Sequence, residues 1–147
     1  MITGLQWRMA TAVLALTLPM SAAQAEPTVH AQVLPLDAHL DLTADFDSAA
    51  APASRDGQGQ FDLPKLQRGG VKAVAIAVFV GQEAETPDYL SRARVAADTV
   101  HARIIGLATR YPAQIEQALT PEDVTRIAEQ GRTAIIESIV NGGAFVE

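Results

Sequence analysis

A run of ten residues at positions 71–80 (VKAVAIAVFV), apolar except for one lysine, limits this chain to a small set of folds. A strand that is apolar on both faces must be covered on both faces, which is typical of a parallel sheet flanked by helices. Residues 133–140 (TAIIESIV) are a further strand candidate, ended by Asn-Gly-Gly, and residues 34–42 alternate apolar and polar side chains with a period of two. These three segments therefore predict the parallel strands of an α/β protein.

Helical segments lie between these strands, as parallel pairing requires. Residues 61–68 carry an acid and a proline in their first turn and end at a glycine pair, while residues 89–110 end at Tyr-Pro. Residues 121–130 begin with proline after a threonine that can cap the helix. Residues 43–60, rich in Ala, Ser, Asp and Gly, predict a long mobile loop.

The N-terminus has the three-part order of an export signal. Arg8 precedes an apolar run over residues 10–18, and residues 23–25 (AQA) fit the site that signal peptidases cleave. The run is shorter than the roughly 20 residues that span a bilayer. We therefore predict a signal peptide over residues 1–25 and a mature domain over residues 26–147, without a membrane span, in an exported (periplasmic or secreted) bacterial protein. The alternative is an N-terminal membrane anchor or a buried helix.

Composition excludes several classes of function. The 147 residues contain no cysteine, which rules out disulfides, thiolate zinc sites and cysteine nucleophiles. A formal net charge of −6, with Lys and Arg scattered singly, argues against nucleic acid as a partner. The glycine pairs lack the spacing of nucleotide-binding loops, and Ser138 lacks the flanking glycines of a hydrolase nucleophile elbow.

The triplet His39-x-Asp41 is the first candidate for chemistry. Two residues apart on a strand, an imidazole and a carboxylate project from one face and can bind the same metal ion. Asp37 lies two residues earlier on that face, where it can orient the imidazole. The alternative is a polar strand face in contact with water. His30 and His101 have no acidic neighbour at useful spacing and are interpreted as surface residues.

Four stretches follow one another between residues 34 and 143: LDAHLDL, FDLPKLQRGGVKAVAIAVFV, YLSRARVAADTVHARII and TPEDVTRIAEQGRTAIIESI. In this order they resemble the membrane (renal-type) dipeptidases, peptidase family M19. The family opens its first barrel strand with Asp-Gly-His-Asn-Asp, where this chain has Asp-Ala-His-Leu-Asp at residues 37–41. It continues with Asp-Leu-Pro-x-Leu-x-x-Gly-Gly-Val, which residues 62–71 match throughout.

The resemblance implies a zinc-dependent dipeptidase on a TIM-type (β/α)8 barrel, like other metal-dependent hydrolases, with a dipeptide as substrate. This chain then represents the N-terminal part of the barrel, about three βα units. In the family, the histidine and aspartate of the first motif, here His39 and Asp41, bind one zinc of a two-zinc site. A glutamate at the end of the third strand bridges both ions, and later residues supply the other ligands.

The chain departs from the family at the bridging glutamate. That position falls on Val140, directly before Asn141, and a valine cannot ligate zinc. Glu137 is the nearest carboxylate, but its odd spacing places it on the opposite strand face. It replaces the ligand only if a bulge or a shifted register intervenes. At most a partial zinc site is therefore expected.

Several hypotheses stay open at this point. The first is the N-terminal part of an exported zinc dipeptidase that is inactive alone, because the chain ends at Glu147 before the later ligands. The second is a non-catalytic α/β binding or assembly element derived from the barrel, which self-associates through open sheet edges. The third is an interrupted reading frame without function.

Overall fold

The computed structural model describes residues 28–43 and 45–142, so the predicted signal peptide lies outside the described residues. The strands are β1 (Leu36–Leu40), β2 (Ala73–Val78), β3 (Ile115–Gln117) and β4 (Thr133–Ile139). They form one parallel sheet in the order β1-β2-β4-β3. The helices are α1 (Val29–Gln32), α2 (Leu63–Gly69), α3 (Pro87–Arg110) and α4 (Pro121–Glu129).

The predicted α/β order is confirmed, with the bounds of each predicted strand and helix shifted by no more than two residues. Two elements are additional. The three residues of β3 are too few for a period of two to be recognised, and the four residues of α1 lie in a polar segment without helix signals. In residues 28–43 and 45–142, no helix is both long and apolar enough to cross a membrane.

Alternate residues of the central strands face two different cores. On one face, even-numbered residues of β2 and Ile135 of β4 pack with α2 and α3. On the other face, Ala73 and Ala134 pack with Ile127 of α4. Helices therefore cover both faces of the sheet, which explains why β2 is apolar on both sides. The larger core includes the buried residues Leu63, Leu66, Val74, Ile76, Val78, Ala93, Ala97, Ile104 and Leu107.

Both edges of the sheet are open within the described part of the chain. β1 pairs with β2 alone, and most of its residues are exposed. On the other side, β3 pairs only with residues 133–135 of β4, so the second half of β4 has no described partner at that edge. Exposed aliphatic side chains stand at both edges: Val33, Leu34 and Leu36 at one, and Leu119, Ile139 and Val140 at the other. Such edges favour pairing with a further strand.

Polar caps fix where the helices begin. Asp62 caps α2, Thr86 caps α3 and Thr120 caps α4, and each helix has a proline in its first turn. Thr120 and Asp123 form a reciprocal capping box, in which each side chain accepts a hydrogen bond from the other's backbone N–H. These caps satisfy N–H groups that a helix start leaves free.

Acid is expected to weaken the start of α4. The hydrogen bond from Arg126, followed by that from the Leu119 backbone, lowers the pKa of Asp123 from 3.8 to about 2. A carboxylate with a lowered pKa in the folded state adds stability above its unfolded pKa, and this stability is lost as the pH falls toward 2.

We therefore expect Asp123→Asn to have a lower urea midpoint than the wild type at neutral pH. The two midpoints should converge as the pH falls toward 2, where Asp123 becomes protonated. Unfolding followed by circular dichroism across this pH range measures both. Glu122→Gln, which changes a neighbouring acid of the same first turn, is the control. If the urea midpoints of the wild type and Asp123→Asn differ by the same amount at every pH, the expectation is contradicted.

Candidate functional site

His39 and Asp41 lie where β1 ends, at the carboxyl edge of the sheet. Leu40 between them aligns with Ile76 of β2 and packs against the core under α3. Because neighbouring residues of a strand face opposite sides, His39 and Asp41 lie on the other face, where β2 presents alanines. The carboxyl edge of a parallel sheet is where barrel enzymes hold their catalytic groups.

The structure brings the imidazole and the carboxylate of this pair together. His39 Nε2 lies 3.4 Å from Asp41 Oδ2, and the two side chains are 55% and 60% exposed. Zinc binds such atoms at about 2.0–2.1 Å, so two corners of its tetrahedron are about 3.4 Å apart. The separation is that of a long hydrogen bond between the two side chains, and it is also compatible with two corners of a tetrahedral metal site. Among the described residues, no group of three His, Cys, Asp or Glu side chains could hold a metal ion.

Asp37 occupies a different place from the one that strict alternation predicts. Its Oδ1 accepts a hydrogen bond from the backbone N–H of His39 at 3.1 Å, whereas the imidazole contacts Asp41. The physical reason is an irregularity in β1. Asp37 aligns with Val74 and Leu40 with Ile76, so three steps of β1 match two steps of β2. Asp37 therefore holds the backbone of the pair and not the imidazole ring.

Glu137 is not brought to His39 and Asp41. β4 pairs with β2 in unbroken register over all six residues of β2, so the bulge that would turn Glu137 round is missing from this strand. Glu137 lies on the face of Ile135, toward α3, and its Oε1 is 2.6 Å from Nδ1 of His101. Val140 follows β4 and donates its N–H to the Val78 carbonyl at 3.3 Å. The described end of β4 thus carries no carboxylate on the face of the sheet where His39 and Asp41 lie.

The two other histidines both have partners. The interpretation of both as surface residues is confirmed, because both side chains are exposed. His101 nevertheless has an acidic partner, Glu137, which lies 36 residues away in the chain. Spacing along the chain could not reveal this contact, because it joins α3 to β4. His30 Nε2 lies 2.8 Å from the carbonyl of Gly69 at the end of α2.

The loop after β1 contains residues that the sequence pattern does not single out. Residues 45–60 form no helix or strand, as predicted, but Phe46 and Ala53 are buried in the main core. The ring of Phe46 lies 5.2 Å from that of Phe61 between centroids. The loop is thus anchored to the core, in contrast to the mobile loop that its composition predicts.

These features define a class of protein. Parallel strands joined by covering helices, with a histidine and a carboxylate at the carboxyl end of the first strand, define an α/β protein and are consistent with the N-terminal part of a TIM-type barrel. The sequence model of the membrane dipeptidases, peptidase family M19, matches residues 23–147. The chain belongs to this family, which confirms the resemblance drawn from its motifs.

A solved structure supports the same assignment. The crystal structure of the probable dipeptidase PvdM from Pseudomonas aeruginosa is similar to this chain, with a TM-score of 0.74 and 30% sequence identity. The similarity covers 79% of this chain and 30% of the PvdM chain. This chain therefore spans about a third of the length of that relative. No curated protein gives a significant match.

Proposed function

We propose that this chain is the N-terminal part of an exported, zinc-dependent dipeptidase and supplies His39 and Asp41 to its metal centre. Membership of the M19 family and the similarity to a probable dipeptidase support the proposal. The observation that carries it is the 3.4 Å separation of His39 Nε2 and Asp41 Oδ2, which suits two ligands of one zinc ion. Zinc in such a site polarises the peptide carbonyl and lowers the pKa of a bound water.

We further propose that the 147 residues alone do not hydrolyse dipeptides at a useful rate. A catalytic zinc usually has three protein ligands, and His39 and Asp41 are two. Val140 provides no carboxylate at the strand end where the family places a glutamate, and Glu137 faces α3. Two ligands without a bridging carboxylate hold an ion weakly and leave the reacting water poorly positioned.

Zinc content and dipeptide turnover test this proposal together. We expect the purified chain to bind zinc weakly, His39→Ala and Asp41→Ala each to abolish that binding, and dipeptide hydrolysis to stay at background. Elemental analysis after equilibrium dialysis measures the zinc. Asp45→Ala, which removes a nearby exposed carboxylate, is the matched control. Zinc binding that survives both substitutions, or robust turnover by the chain alone, would overturn the corresponding part of the proposal.

A non-catalytic assembly element is the second candidate, and the open sheet edges favour it. The free half of β4 borders a cavity of about 570 Å³ that is lined in part by Leu119, Ile136 and Ile139. Strand addition there by a second copy would bury these aliphatic side chains. The same purified sample distinguishes the two candidates. A metal-free oligomer that Ile139→Lys disperses supports assembly, whereas a monomer stabilised by zinc supports the dipeptidase site.

A further inference from the structure

A buried carboxylate holds the loop that follows the candidate metal-binding pair. The side chain of Asp47 is 3% exposed and accepts hydrogen bonds from two elements. From the end of α3, Arg110 Nε donates at 2.5 Å and the Tyr111 hydroxyl at 2.7 Å. From the loop itself, the Ala53 N–H donates at 3.1 Å. The guanidinium of Arg110 also forms an ion pair with the carboxylate through a second nitrogen.

The backbone of Asp47 is strained in addition. Its φ of 56° is the only positive value among the described non-glycine residues. Aspartate tolerates this left-handed conformation better than most residues, but it persists only where surrounding contacts hold it. The network around the carboxylate supplies such contacts. Strain combined with burial is typical of a residue that holds a functional segment in place.

The α3 side of this network is anchored in the main core. Leu107, one turn before Tyr111, is fully buried in the main core, and the N–H of Tyr111 donates to the Leu107 carbonyl at 2.9 Å. Burial, followed by the hydrogen bond to Asp47, raises the pKa of the Tyr111 hydroxyl, which therefore stays a protonated donor at neutral pH. Asp47 thus ties the loop to a fixed point 63 residues later in the chain.

The loop side of this network lies close in the chain to His39 and Asp41, the candidate metal-binding pair. Asp41 lies two residues before a turn in which the Phe46 N–H donates to the Thr43 carbonyl at 3.0 Å. Leu42 packs against the core before the turn, and Phe46 is buried after it. Asp47 directly follows Phe46. Its contacts with the end of α3 therefore add to the core packing that holds this part of the loop.

We propose that Asp47 is a positioning residue: by holding the loop against the end of α3, it fixes the end of β1 and with it the relative placement of His39 and Asp41. Its significance for metal binding rests on the proposed function, whereas the ordering of β1 does not. Loss of the carboxylate then leaves the sheet folded but loosens the strand end that carries the pair.

Hydrogen exchange on the whole chain, followed by mass spectrometry, tests the proposal. Asp47→Gly removes the carboxylate while keeping a residue that accepts a positive φ. We expect the amides of residues 37–43 to exchange about tenfold faster in this variant, the size of effect that loss of a buried, charge-assisted network gives. The amides of β2 and β4 are expected to keep the wild-type rate. Asp88→Ala, which removes an exposed Asp–Arg pair on α3, the helix whose end contacts Asp47, is the matched control.

Two milder variants separate positioning from general stability. Asp47→Asn keeps an oxygen for Tyr111 and Ala53 and should restore much of the protection, and Tyr111→Phe removes one hydrogen bond and should have a smaller effect. These two decide the question if Asp47→Gly does not fold. Unchanged exchange at residues 37–43, or equal acceleration in β2 and β4, would overturn the proposal. This measurement needs no metal, so a wild-type chain that binds no zinc contradicts the proposed function alone.

Discussion

Leu107→Ala is expected to lower the free energy of unfolding by about 3 kcal/mol, the typical cost of removing a fully buried leucine and leaving a cavity. Leu107 has no exposed surface and packs in the main core between α3 and the sheet. A domain of this size is stable by only about 5–15 kcal/mol. The substitution should therefore remove a large part of the total stability.

Urea unfolding at low protein concentration, followed by circular dichroism, measures this effect. Val95→Ala is the matched control, because Val95 lies on the same helix and is 65% exposed. We expect the control to change the unfolding free energy by less than about 0.5 kcal/mol. Equal urea midpoints for the two variants would show that α3 does not pack on the sheet as described.

Asp62→Ala is expected to cost about 2–3 kcal/mol, because it removes a buried helix cap and leaves its donors without an acceptor. The Asp62 carboxylate is buried and accepts the N–H of Lys65 at 2.8 Å and that of Gly57 at 3.0 Å. It also forms an ion pair with the ammonium of Lys65. The same side chain thus starts α2 and closes the loop that precedes it.

The pH dependence of this effect follows from the pKa of Asp62. Burial acts to raise that pKa, but the hydrogen bonds from Lys65 and Gly57 outweigh it, and the net pKa lies below 3.8. The contribution of Asp62 is therefore complete at neutral pH and is lost as the pH falls below its ordinary pKa. Asp56→Ala is the matched control, since Asp56 is an exposed partner of the same Lys65. A control as destabilised as Asp62→Ala would argue against the cap as the cause.

Local patterns were sufficient to predict most of this fold. The apolar run in β2 and the capped starts of α2 and α4 are features of neighbouring residues, so the sequence displays them directly. β3 was not predicted, because a strand of three residues has too few positions to show a period of two. Its place beside β4 depends on pairing between segments that lie on either side of α4, which a local pattern does not show.

The candidate site shows the same division. The proximity of His39 and Asp41 follows from strand geometry and was predictable. The shift in β1 that turns Asp37 to the backbone was not, because a bulge depends on the neighbouring strand. The contact of His101 with Glu137 joins distant segments, and Asp47 lies in a loop whose composition suggests mobility. Long-range contacts of this kind leave no local signature.

The short strand β3 also restricts the register of any further strand that pairs with β4 at this edge. It already uses the backbone groups of β4 at that edge up to residue 135, where the Ile135 carbonyl accepts the Ala118 N–H at 2.8 Å. With a period of two, Glu137 and Ile139 are the next residues whose backbone groups face the free edge. A strand added at this edge cannot pair with the first residues of β4, because β3 already pairs with them. Three residues of β3 thereby exclude every register in which an added strand would pair with residues 133–135 of β4.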